Sequence, residues 1–324
     1  MLSKLGIDIS KKNFDVALIV NPETMKAKQR QFANTPAGFQ ALQSWITKQG
    51  QTQVHAVMEA TGAYGDALAA FLYAAGHTVS IVNPAQIKAY GKSELQRNKT
   101  DRADAVLIAR FAWRHQPRPW APPPPELQEL QSLVRHLDDL IEQRTQVSNR
   151  LSEGRLTLAV RDSWEKVLQT INEQILEVKR QINQHFDNHP TLKRRRELLD
   201  SIPGIGPETA ARLLSEMPQL GQFDSARAAA AHSGLTPKRH QSGSSDLPAR
   251  ISKIGNPRVR YALYLPAMAA LRSSQEFKEL AARLTKRGKK KMQIIAAAMH
   301  KLVRLAHGVL KNQQPYDTNY AATA

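Results

Sequence analysis

Four carboxylates carry the chemistry that this sequence offers. Asp8 closes the run Leu5-Gly6-Ile7-Asp8, Glu59 closes Val57-Met58-Glu59, and Asp101 and Asp104 stand three apart in Thr100-Asp101-Arg102-Ala103-Asp104. The first two runs are apolar and rich in β-branched residues, which predicts strands with an acid at each end. The third spacing puts both aspartates on one face of a helix start. Four acids meeting from two strand ends and a helix repel one another unless divalent cations neutralise them. An all-oxygen donor set suits Mg²⁺, or Mn²⁺ in its place, and paired ions of that kind serve phosphoryl transfer. The expectation is a metal-dependent enzyme acting on nucleic acid.

Composition points the same way. The 324 residues predict two or three domains, and 46 Lys plus Arg against 28 Asp plus Glu give a formal charge of +18. Residues 189–324 alone hold 23 basic side chains to 9 acidic ones, so a polyanion is the expected partner. No lipidation motif, strongly amphipathic basic helix or 18-residue uncharged apolar run accompanies that charge, which argues against a membrane. The start does not read as a signal peptide, and the absence of cysteine excludes a disulfide framework and a thiolate zinc site. A soluble, intracellular protein is expected.

The elements that must position the acids can be read in order. Strands are predicted over 3–9, 13–20 and, more weakly, 27–32, followed by a helix from Asn34-Thr35-Pro36 with Phe39, Leu42, Trp45 and Ile46 on its apolar face. A strand over 54–59, a helix over 66–75 ended by Gly76, a strand over 78–82 and a helix over 101–115 complete the domain. Three strands, helix, strand, helix, strand, helix is the ribonuclease H-like order, in which the first strand lies beside the fourth and brings Asp8 next to Glu59. Arg118-Pro119-Trp120-Ala121 and the prolines 122–125 then read as a stiff spacer.

Beyond the spacer, Leu127, Leu130, Val134, Leu137 and Ile141, and later Trp164, Leu168, Ile171, Ile175, Val178 and Ile182, alternate three and four apart. That pattern fits a helical hairpin inside one protomer or a coiled coil between copies. His185 and His189 are four apart, but Pro190 follows and no third ligand is near, so a polar helix end is the simpler reading. Ile202-Pro203-Gly204-Ile205-Gly206, leading to a helix over 211–216, resembles the turn of a helix-hairpin-helix module. There glycines let backbone amides approach a phosphate. Residues 234–245 read as a flexible basic loop in which Ser242 sits among Lys238, Arg239 and Arg250. A phosphate held there would lie beside a mobile hydroxyl. Helices are predicted over 259–271 and 294–310, with a five-lysine-and-arginine run in 286–291 and a frayed tail from Asn312. The domains expected are 1–120, 121–189, 190–311 and the tail 312–324.

Taken together these stretches resemble the IS110 family of insertion-sequence transposases. The matching segments are Gly6-Ile7-Asp8, Met58-Glu59-Ala60-Thr61-Gly62, Asn83-Pro84, Arg97-Asn98-Lys99-Thr100-Asp101 with Asp104, and Ile202-Pro203-Gly204-Ile205-Gly206. They continue through Gly234-Leu235-Thr236-Pro237, Ser242-Gly243-Ser244-Ser245 and the stretch from Arg260 to Met268. The resemblance runs from residue 5 to about residue 311 and implies a RuvC-like domain followed by a mainly helical transposase domain, in a protein of the bacterial cytoplasm close to the nucleoid. It further implies that Asp8, Glu59, Asp101 and Asp104 hold Mg²⁺, and that Ser242 attacks the scissile phosphate to form a covalent phosphoserine link. A structured guide (bridge) RNA from the element would pair with double-stranded donor and target DNA, and the protein would work as a homo-oligomer, a dimer or tetramer. Lys99, Arg102, Gly204, Gly206, Lys238, Arg239, Arg250, Lys253, Arg258, Arg260, Lys289, Lys290 and Lys291 are the expected nucleic-acid contacts. Two rival readings stay open: a junction-resolving nuclease whose acids activate water, and a non-catalytic nucleic-acid scaffold.

Overall fold

The computed structural model describes every residue except Met1, Pro22, Thr61, Ala63, 96–99, Arg155, 243–244 and 318–324; the side chains of 239–249 also lie outside the description. Residues 1–122 and 123–324 form two compact units.

In the first unit β1 (Ser3–Ile9) and β2 (Asn13–Asn21) pair antiparallel across the turn 10–12, and β3 (Lys26–Ala33) extends the sheet beyond β2. Thr35 caps α1 (Pro36–Lys48) by accepting the Gly38 N–H, with Pro36 set for the first helical position. The chain returns as β4 (Val54–Glu59), parallel to β1, then α2 (Asp66–Ala74) and β5 (Thr78–Val82), parallel to β4. α3 (Pro84–Ser93) and α4 (Asp101–His115) follow, and the sheet order is β3-β2-β1-β4-β5. The face of β1 and β4 turned to α1 and α2 is apolar, while the face turned to α4 carries Lys4, Gly6 and Asp8 of β1 and His55, Val57 and Glu59 of β4. Leu5, Ile7, Ala56 and Met58 pack under Phe39, Leu42, Ile46, Leu68 and Leu72 of α1 and α2. Val57, Ala17 and Ile19 face the other way, towards Ala105, Ile108, Ala109 and Ala112 of α4.

The second unit is mostly helical. α5 (Pro125–Ser152) and α6 (Leu158–Asn188) fold back on each other, and the His185 ring bonds the Glu126 carbonyl at 2.8 Å, joining the end of α6 to the start of α5. α7 (Pro190–Asp200), α8 (Pro207–Glu216), a 3-10 turn at Leu220–Gln222 and α9 (Ala226–His232) follow. The strands β6 (Pro237–Ser242) and β7 (Ser245–Ile251) pair antiparallel before α10 (Pro257–Ser273), α11 (Gln275–Lys286) and α12 (Lys291–Asn312). The seam residues Leu130, Val134, Leu137, Ile175, Val178 and Ile182 are buried in one core that continues through α7, α8, α10 and α12. The hairpin and the helices after it, separate domains in the sequence reading, therefore share a core. Arg212 to Asp138 at 2.7 Å and Arg135 to Glu216 at 2.8 Å add ion pairs between α8 and α5. No helix among the described residues is long and apolar enough to cross a membrane.

Several sequence readings are corrected here. Where a flexible basic loop is expected over 234–245, the described residues 237–242 and 245–251 are paired strands, with 243–244 outside the description. α3 is an element the hydrophobic pattern does not show, although Asn83-Pro84 starts it as Thr35-Pro36 starts α1, the Asn83 side chain accepting from the Ala85 N–H at 2.8 Å. Pro125 belongs to α5 as its first residue rather than to a spacer, and α8 begins at Pro207, before the expected 211.

Candidate active site

The site is built on one lateral row of the sheet. Ile7 pairs with Met58 between the parallel β1 and β4, so the next residues, Asp8 and Glu59, stand side by side. Side chains alternate across a strand. Leu5, Ile7, Ala56 and Met58 face α1 and α2, so Asp8 and Glu59 face the side of α4. In the antiparallel direction Asp8 pairs with Asp15 of β2, and Asp15 pairs with Gln31 of β3. Gln31, Asp15, Asp8 and Glu59 thus cross four adjacent strands in a line.

α4 brings the remaining acids. Thr100 caps it, accepting the Ala103 N–H at 3.2 Å, which puts Asp101 and Asp104 in the first turn, where the helix dipole favours negative charge. Gly6 makes the approach possible. A Cβ at that position would lie 2.2 Å from the Ala105 carbonyl oxygen and 2.3 Å from the Ala109 nitrogen. Only glycine lets α4 rest directly on the backbone of β1, two residues before Asp8.

The electrostatics record the crowding. Burial, then the charges of Asp101, Asp104 and Asp15, push the Asp8 carboxyl up to about 6, against a lowering bond from the Ile9 backbone. The structure therefore couples Asp8 to both α4 aspartates and sets Glu59 beside it by register. Among the described residues no group of three or more acids or histidines is already arranged to enclose an ion. The donors are nonetheless all hard carboxylate oxygens, and the mutual repulsion at Asp8 is of the kind a divalent cation relieves, so the residues fit Mg²⁺ or Mn²⁺ in donor type and charge.

The other expected residues divide. The side chain of Ser242 lies outside the described residues; its backbone pairs with Ser245 at the end of the β6–β7 hairpin. Lys99 and the side chain of Arg239 also lie outside them. Lys238, Arg250, Lys253, Lys289, Lys290 and Lys291 are exposed. Of these, Arg250, Lys289 and Lys290 line a cleft of about 1990 Å³ together with Arg260, Arg283 and Arg304. Arg260 reaches the carbonyls of Ser233 and Gly255, both at 3.1 Å, and Arg258 lies 4.0 Å from the buried Glu216 carboxylate, so both also hold the fold. Gly204 is turned into α10: with φ +88, a Cβ there would sit 2.4 Å from the Pro266 carbonyl. Packing accounts for that glycine without a phosphate. Gly206 opens on free space.

Three residues take a part in the site that the sequence does not show. Asp15 and Gln31 complete the lateral row, and the signal for Asp15 was a carboxylate set inside the apolar run from Phe14 to Ile19. Gly6 was noted only as part of a motif, yet it sets the seating of α4.

Comparison with known proteins matches these two regions. A family model of DEDD transposases of the IS110 kind, described as Transposase, matches residues 5–157, and one described as Transposase IS116/IS110/IS902 family matches residues 196–282. The pilin gene-inverting protein of Moraxella bovis is 33% identical over 317 residues, 97% of each chain. That of Moraxella lacunata is also 33% identical over 97% of each. The transposase for insertion sequence element IS1111A of Coxiella burnetii is 28% identical over 299 residues, 83% of this chain and 78% of that one.

Proposed function

The chain belongs to the IS110 family of transposases, and on that footing we propose that it cleaves and exchanges DNA strands through a serine nucleophile beside a magnesium-binding acid site. The observation that carries the reading is the lateral row with α4 above it: two carboxylates abreast on parallel strands and two more in the first turn of the helix that crosses them. We take the sheet order and this placement as a ribonuclease H-like fold of the RuvC kind. Asp8, Glu59, Asp101 and Asp104 would hold Mg²⁺. Bound there, the ion supplies Lewis acidity at a phosphoryl oxygen and stabilisation of the leaving oxygen.

The chain's own groups then have defined tasks. As the Ser242 Oγ bonds to phosphorus, the ester bond to the departing strand breaks; the hydroxyl proton is released to water, and the departing strand's oxygen takes one up from water, so the step is proton-neutral overall. The product is a phosphoserine ester, whose reversal onto a second strand end completes exchange without net hydrolysis. Lys238, Arg250 and the lysines 289–291 supply phosphate contacts. A structured RNA pairing with double-stranded donor and target would leave the protein to read backbone and shape. Nucleophile and acids belong to different units of the chain, and we propose a dimer or tetramer in which a serine from one copy can serve the acids of another. Mixing Asp8→Ala with Ser242→Ala protein would then restore exchange, and no restoration would count against that sharing.

The test of the whole reading uses purified protein, Mg²⁺, the RNA flanking the element and end-labelled donor DNA on a denaturing gel. A protein–DNA adduct lost in both Ser242→Ala and Asp8→Ala is the expected result. Free cut strands unchanged by Ser242→Ala would make the protein a metal-dependent nuclease and remove Ser242 from the mechanism. Salt-sensitive binding without breakage would leave a scaffold.

A further inference from the structure

Asp15 is an expensive residue to keep where it stands. It is 3% exposed, in the interior of β2, and directly opposite Asp8 in an antiparallel pair, where like charges destabilise a sheet. Its Oδ2 accepts a hydrogen bond from Gln31 Nε2 at 2.8 Å, while its Oδ1 is buried without a hydrogen-bond partner. A buried carboxylate oxygen left in that state is costly. Among the described residues the cation paired with it is Arg102, whose Nε lies 3.9 Å from Oδ1 and whose side chain is otherwise 74% exposed. Arg102 sits in the first turn of α4, between Asp101 and Asp104.

We infer that Asp15 is a positioning residue of the acid site: clamped by Gln31 on β3, it anchors Arg102 and thereby fixes the first turn of α4, so that Asp101 and Asp104 are held towards Asp8. This rests on the reading of the four acids as a metal site and extends it to a fifth carboxylate that binds no ion itself. It also gives Arg102 a task within the protein, where sequence alone suggested a nucleic-acid contact. Gly6 brings α4 down onto β1, and the Asp15–Arg102 pair stops its first turn from swinging along the sheet. The logic is that of residues behind a metal site that orient the groups in front of them, where removal costs roughly 10–100-fold in affinity.

The experiment is a Mn²⁺ titration of the full-length protein, followed by electron paramagnetic resonance, on the wild type and on Asp15→Asn, Arg102→Gln, their double variant and Asp8→Asn. Asparagine keeps an oxygen for Gln31 and replaces the charged oxygen facing Arg102 with an uncharged NH2 of the same size; Arg102 is exposed, so its variant preserves the fold. Each single change is expected to weaken Mn²⁺ by about 10–100-fold, and the double no further than the weaker single, because both remove the same contact. Wild-type affinity in Asp15→Asn and Arg102→Gln, with binding lost in Asp8→Asn, overturns the positioning role and leaves the acid site standing. Losses that multiply in the double variant overturn the coupling between the two residues. Undiminished binding in Asp8→Asn removes the acid site, and the role of Asp15 with it.

Discussion

Replacing Gly6 by alanine tests whether the seating of α4 governs the site. The added Cβ would lie 2.2 Å from the Ala105 oxygen and 2.3 Å from the Ala109 nitrogen, whereas ordinary contact begins at 3.4 Å. These are backbone atoms of a helix and cannot turn aside, so α4 must lift or slide by about 1 Å. Overpacking of this kind costs about 1–3 kcal/mol, and the sheet should survive it. Asp101 and Asp104 ride on the displaced helix, and a 1 Å misplacement of a reacting constellation can cost on the order of 10²-fold in rate. The assay is the rate of adduct formation beside Mn²⁺ affinity, with hydrogen exchange of the β1 and β4 amides reporting the fold. Gly50→Ala is the control: its φ of +74 makes alanine strained, while nothing lies within 4 Å of the new Cβ. It should lose stability and keep activity. Gly6→Ala protein with wild-type rate and Mn²⁺ affinity would refute the argument that α4 must touch β1 for the acids to meet.

Three further outcomes are expected. His55 is buried and accepts from Lys4 Nζ at 2.9 Å through Nδ1, leaving Nε2–H to donate to Ser80 Oγ at 2.8 Å; burial, then the Lys4 charge, lowers its pKa from 6.5 to about 4. The unfolded chain binds that proton near pH 6.5 and the folded one only near 4, so its stability contribution is complete above pH 6.5 and falls away towards pH 4. The loss is at most about 3 kcal/mol, and a pH series of urea melts in which His55→Gln has the same slope as wild type would contradict it. Gly204→Ala should destabilise the second unit through its clash with Pro266 and its left-handed backbone, while Gly206→Ala should melt like the wild type; thermal melts compare the two. If Lys289, Lys290 and Lys291 each neutralise a phosphate, changing all three to glutamine should lower the slope of log K against log salt for DNA binding by about 3.

The first unit was largely legible because its elements obey local rules. The edges of β4 and β5 and the start of α4 fall where hydrophobic runs and cap residues predict them, and parallel β4 beside β1 follows from the element order. What stayed hidden depends on contacts between distant residues. The Asp8–Asp15 pairing is a matter of register, and the work of Gly6 appears only once α4 lies on it. The β6–β7 hairpin was missed because its polar and basic residues, with prolines at 237 and 248, mask the alternation that marks a strand. Gly204 likewise has a packing role that only the fold reveals, its missing Cβ making room for the Pro266 carbonyl of α10.

The row of Gln31, Asp15, Asp8 and Glu59 has a consequence for how such chains can diverge. Side-chain facing has a period of two, so one residue gained or lost in the turn 10–12 would re-pair β2 with β1 one step out of phase. Asp15 would then face Phe39 and Leu42, and Phe14 or Val16 would stand beside Asp8. The turn is closed by reciprocal bonds, Ser10 donating through Oγ and N–H to the Asn13 carbonyl at 2.7 and 2.9 Å and accepting the Asn13 N–H on Oγ at 3.3 Å. Its length is therefore inherited as part of the site. Natural copies of the element should tolerate insertions in the connection 153–157 between α5 and α6, while three residues joining two strands stay frozen in number, whatever their identities.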